Sequence, residues 1–163
     1  MQFVQRTEGY DVYFDPESRV EARAVGLWPK KRIVVGAMWA KLPEPERTAV
    51  IYHEVGHCKA MHLERRVLML VAAFAPALFM LPARLLIVGL ATLFLWELAA
   101  WWARKSEYEA DLFAAQHGHA RALVSYLARP RPFDGSGDFY PSHSERIEAL
   151  IRASQEEQPC SND

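Results

Sequence analysis

The chain is poor in several things, and each shortage removes a class of function. Of its 163 residues only two are cysteines, Cys58 and Cys160. That is too few for a disulfide framework, so the thiols are expected to be reduced and the polar part to face a cytosolic environment. The formal net charge is only −1, which leaves no basic surplus to neutralise phosphates and excludes nucleic acid as a partner. The first residues, MQFVQRTEGYDVYFD, hold no apolar run of signal-peptide length, so no leader is expected. No internal repeat or low-complexity tract appears. A chain of this length fits one compact domain, here residues 1–163.

Charge is missing most sharply from residues 67–102, where only Arg84 and Glu97 interrupt VLMLVAAFAPALFMLPARLLIVGLATLFLWELAAWW. One straight helix over that stretch would be about 54 Å long, too long for a hydrocarbon core of about 30 Å. Pro82 breaks it, so the expectation is a transmembrane hairpin with spans 67–82 and 85–102. A buried hairpin in a soluble protein is the alternative, but such helices normally keep a polar stripe. Trp96, Trp101 and Trp102 fit an interfacial belt. Arg47, Lys59, Arg65 and Arg66 before the hairpin and Arg104 and Lys105 after it put the catalytic face and both termini on the cytoplasmic side. Glu97 is an ionisable group in a span and so a functional candidate by default; it lies close to the interface, where snorkelling or pairing with another hydrophilic group is the expected account.

What remains is an α+β pattern. YDVYF alternates and ends at DPES, and ARAVGLW and RIVVGAMW flank PKK as a hairpin-like pair. LPEPERTAVIYHEVGHCKAMHLERR reads as one helix, with prolines and Glu44 and Glu46 at its start. A second helix is expected to run from span two through SEYEADLFAAQHG, with Gly118 as its cap. HARALVSYLA is a short amphipathic helix, FDGSGDFYP a loop, and SHSERIEALIRA a last helix with a Ser142–Glu145 capping box. The final residues are expected to be disordered.

His53 and His57 are four apart in HEVGH and share a helix face. Two imidazoles at that spacing can hold one zinc ion, while Glu54 is rotated beside it and can act as a base. A zinc site needs a third protein ligand and an open position. Glu107 in SEYEAD supplies the ligand, and Asp111, four residues on, can accept the ring N–H of a ligating histidine. Continuous helices would set His57 about 39 Å and Glu107 about 36 Å from a tip near Ala83, level to within about one turn. A solvated acidic face is the plainer reading of SEYEAD, and it suits Glu109 well. His62 is expected on the surface, His117 and His119 at a helix end, and Cys58 as a small packed residue.

HEVGH followed by EYEAD across an apolar hairpin resembles the membrane zinc metallopeptidase family that includes the CAAX prenyl protease and the HtpX heat-shock protease. ARAVGLWPKKRIVVGAMWAKLPEPERTAVIYHEVGH is similar to that family's strands and active-site helix, and YPSHSERIEAL to its closing motif. The resemblance covers about residues 22–151. It implies a zincin-like domain that is mainly helical, with a small N-terminal sheet and an inserted transmembrane hairpin. It also implies His53, His57 and Glu107 as ligands of one Zn2+, Glu54 as general base and Asp111 as orienter. The closing motif departs from the family: its histidine falls on Tyr140, and His143 is three residues out of register. Either could donate to an oxyanion, and Arg146 is a substrate contact or a brace. With only two spans, the chain is short for the family, which weighs against a large intramembrane chamber and prenyl-peptide substrates.

The expected function is a membrane-anchored zinc endopeptidase acting on peptide or membrane-protein substrates, with RIVVGAMW as the edge strand that holds them. Two rivals stand beside it. An intramembrane metalloprotease fits poorly, because PEPERTAVIY before the motif is polar. A non-catalytic zinc-stabilised adaptor would have no use for Glu54.

Overall fold

The computed structural model describes residues 1–80, 85–130, 137 and 139–156, with side chains of 73–80, 85–88 and 156 left aside. Four strands come first: β1 Gln2–Thr7, β2 Tyr10–Asp15, β3 Ala22–Val25 and β4 Arg32–Gly36. They form one sheet in the order β1-β2-β4-β3. β1 with β2 and β3 with β4 pair antiparallel, while β2 and β4 pair parallel. Ile33, Val34 and Val35 are almost fully buried, the continuous apolar run of a strand covered on both faces.

That order corrects one expectation. RIVVG is an inner strand and cannot be the edge that holds a substrate, because both its sides are already hydrogen-bonded. The edge on that side is β3. The error came from pairing the sequence only with its neighbours, when β4 also reaches back past β3 to β2.

After a single turn, α1 Ala37–Ala40, the first long helix is α2 Glu44–Lys59. Pro45 sits at its start, where a missing amide donor costs little. Glu46 does more than favour the helix dipole: it is buried and accepts from Ser125 and Arg129. One face of α2 packs Val50, Ile51 and Val55 into a core shared with Val12, Ile33 and Val35 of the sheet.

α2 does not run on through the arginines as the sequence suggested. It ends at Ala60, Met61 takes φ 56°, and a separate helix α3 spans His62–Met80. α4 follows from Leu85 to Ala114, then a widened turn Ala115–His119, α5 Ala120–Leu127 and α6 His143–Glu156. Gly118 has φ 84° and breaks the helical path there. Ser142 and Glu145 exchange hydrogen bonds at the start of α6, Glu145 N–H to Ser142 Oγ at 3.2 Å and Ser142 N–H to Glu145 Oε2 at 2.7 Å, the expected capping box.

The tip of the proposed hairpin, with Pro82 and Arg84, lies outside the described residues, as does the tail with Cys160. Among the described residues no helix is long and apolar enough to cross a membrane. α3 and α4 nevertheless leave Leu68, Val71, Leu90, Leu93 and Phe94 each about 60% exposed or more.

Gly56 sets how closely α2 and α4 approach. A Cβ there would lie 2.9 Å from the Ala110 Cα and 3.1 Å from the Phe113 Cβ. The facing stripe of α4 is small or polar: Ala100, Ala103, Ser106, Glu107, Ala110, Asp111 and Ala114 are all buried. The absence of bulk lets the two helices bring their functional groups together.

Candidate active site

His53 and His57 leave α2 on one face, and Glu107 leaves α4 toward them. The two Nε2 atoms are 3.1 Å apart. Glu107 Oε2 is 3.5 Å from His53 Nε2, and its Oε1 is 3.5 Å from His57 Nε2. Among the described residues these three form the metal-competent group, with all donor atoms within 4.8 Å of one another. Tetrahedral zinc with bonds of about 2.0–2.1 Å sets its ligands about 3.4 Å apart, so the donors fit one ion without rearrangement.

The outer nitrogen of His53 is already engaged. Nδ1 lies 2.8 Å from Asp111 Oδ1, so it donates there and Nε2 is left to face the other ligands. Arg146 donates to Asp111 through Nε at 2.7 Å and Nη2 at 2.6 Å, and its Nη1 is 3.2 Å from Glu107 Oε2. The guanidinium thus bridges two acidic groups, with its forked donors pointing at carboxylates, and it also lines the cleft.

These pairings set the charges. Burial works against an imidazolium at His53, yet the hydrogen bonds to Asp111 and Glu107 raise its pKa to about 9. Burial and the neighbouring His53 push His57 down to about 3. Burial would raise Glu107, but the His53 hydrogen bond and the charges of His53, His57 and Arg146 hold it well below the usual carboxylate range. Asp111 is lowered in the same way: its bonds to His53 and Arg146 outweigh its burial.

Glu54 stands on the cleft side of α2. Its Oε2 accepts the Ala24 N–H of β3 at 2.6 Å, which ties the carboxylate to the edge strand. Burial raises its pKa above the usual range, the direction that suits a group cycling a proton near neutrality. An open cleft of about 530 Å³ is lined by His53, Glu54, His57, Glu107, Tyr140 and His143, among others. Tyr140 and His143 thus both reach the wall of the same cavity.

Sequence reasoning missed two neighbours. His62 is not on the surface: it is 4% exposed, with Nδ1 2.8 Å from His57 Nδ1 and Nε2 2.9 Å from Glu109 Oε2. Glu109, read as part of a solvated face, is its partner. No periodic signal would have found them, because the turn at Met61 moves His62 off the path of α2. His117 and His119 do lie at the helix end, their rings tilted against Tyr52, and Cys58 is a packed, buried thiol whose pKa burial pushes up to about 12.

Two histidines and a glutamate brought together from two packed helices, beside a small mixed sheet, suit a metallopeptidase. The chain belongs to peptidase family M48, whose model matches residues 2–154. Among solved structures it is similar to the crystal structure of Ste24p from S. mikatae, at TM-score 0.54 and 20% identity. At that identity the likeness is one of fold. It covers 79% of this chain and 41% of that one, so the chain spans less than half the length of that protein. No curated protein matches the chain.

Proposed function

We propose that residues 1–163 form a single zinc-dependent endopeptidase domain, anchored in a membrane by hairpin 67–102, with its catalytic face on the cytoplasmic side. The observation that carries the catalytic part is the convergence of His53, His57 and Glu107 on one point of a cleft that also holds Glu54. Zinc held by those three residues would supply Lewis-acid polarisation of the scissile carbonyl and acidify the attacking water.

The chain's own groups do the rest. Glu54 receives the proton of the attacking water and returns it to the leaving amine. Its bond from the Ala24 N–H fixes the carboxylate while that happens. Asp111, held in turn by Arg146, keeps His53 in the tautomer whose Nε2 faces the site. An extended substrate adds along β3, whose outer edge borders the cleft. Tyr140 or His143 donates to the oxyanion, and Tyr140→Phe against His143→Ala separates the two by which one lowers kcat.

Membrane anchoring is supported by the apolar exposure of α3 and α4. The charge pattern points the same way, with Lys105 over the rings of Trp101 and Trp102 at 5.3 and 5.5 Å, and Arg65 over Trp102 at 5.8 Å. Basic and indole groups together are what a headgroup region favours.

The test is cleavage of a soluble unfolded protein by the bilayer-reconstituted enzyme and by Glu54→Gln. The parent should cut, and the variant should lose about 10²–10⁴-fold in kcat with zinc content unchanged. Equal cutting by the variant would remove Glu54 from the mechanism. Cutting of membrane-buried segments alone would favour an intramembrane protease. Zinc bound without any cleavage would favour an adaptor.

A further inference from the structure

The two ligating histidines are held from behind in different ways. Behind His53 stands a carboxylate, Asp111. Behind His57 stands another imidazole, His62, and behind that the Glu109 carboxylate. For His57 to offer Nε2 to a metal its proton must sit on Nδ1. That N–H then donates to His62 Nδ1. His62 must in consequence carry its own proton on Nε2, and it donates to Glu109 Oε2. Two rings and one carboxylate allow a single run of donors when Nε2 of His57 is a ligand, and every polar atom in it is satisfied.

We propose that His62 and Glu109 are positioning residues that fix the tautomer and orientation of His57 and so set the affinity of the site for its metal. The inference rests on the zinc reading given above. A second observation supports it independently. Met61 takes φ 56°, a left-handed conformation unusual for a non-glycine residue. That turn folds His62 back onto the site instead of letting α2 carry it away. His62 is 4% exposed, and both of its nitrogens face a partner, so it is not an idle surface group.

The experiment is zinc affinity of the full chain, measured by competition with a chromophoric chelator, together with the visible absorption of the cobalt-substituted protein. His62→Phe fills the space but removes both ring nitrogens. It should weaken zinc about 10–100-fold and shift the cobalt bands. His62→Gln keeps an acceptor and a donor and should recover part of the loss. Glu109→Leu should weaken zinc in the same direction by less. Its side chain is 37% exposed, so that variant reads the relay even if substitution at 62 disturbs folding. Parental affinity and unshifted cobalt bands in His62→Phe would mean that His62 only packs, and would overturn the proposal, as would a Glu109→Leu variant identical to the parent. A parent that holds no zinc would overturn the metal reading and this inference together, which tells the two failures apart.

Discussion

Along α4, residues 106–114 bury Ser106, Glu107 and Asp111, whereas residues 90–101 leave Leu90, Leu93, Phe94, Trp96 and Trp101 exposed. One continuous helix therefore hides polar groups at one end and shows apolar groups at the other. Each half is costly unless something compensates. Buried carboxylates need charged partners and hydrogen bonds, and Arg146, His53 and His57 supply them. A broad exposed apolar surface marks an interaction site or a lipid contact. We read the polar half as the seat of the chemistry and the apolar half as the anchor.

Substitutions can break that contrast, and the largest effect belongs to the polar half. Asp111→Ala should destabilise the fold by about 3–5 kcal/mol, because it removes both Asp111 bonds from a largely enclosed Arg146 and leaves it the Glu107 carboxylate alone; denaturant midpoints measure it. An exposed position such as Leu93→Ala should stay within about 0.5 kcal/mol in the same assay. Phe94→Lys tests the apolar half. It should disfavour membrane partitioning by up to about 3 kcal/mol, read by flotation with vesicles, and a variant that floats like the parent would argue against an anchor there.

Gly56→Ala sharpens the contrast at the crossing of α2 and α4. With Ala110 at 2.9 Å from the added carbon, the helices must separate, costing about 1–3 kcal/mol and weakening zinc binding as the donors part. A further effect is protonic. His53 at about 9 holds a proton in the metal-free site near pH 6, while His57 at about 3 and the lowered Glu107 do not. Zinc entry should thus release about one proton, and affinity should rise about tenfold per pH unit below pH 9. Calorimetry of Glu54→Gln in buffers of different ionisation heat reads that number.

The contrast also explains what could be read in advance. HEVGH was legible because a four-residue spacing is a local property of a helix. Glu107 does lie beside it, but the continuous helix assumed in counting residues to a tip near Ala83 is broken at Met61, and that tip lies outside the described residues. His62 and Glu109 were not legible, since Met61 offers no glycine or asparagine to announce its turn. The edge strand was misassigned because the parallel β2–β4 pairing skips over β3, and no local pattern records it. The capping box at Ser142 and the break at Gly118 were local, and both came through.

Zinc content of the purified full chain, taken on the parent, Glu54→Gln and Glu107→Ala side by side, tests the central claim most directly. The account predicts one zinc per chain in the first two and loss of stoichiometric metal in the third. Equal zinc in all three, or none in the parent, would contradict it.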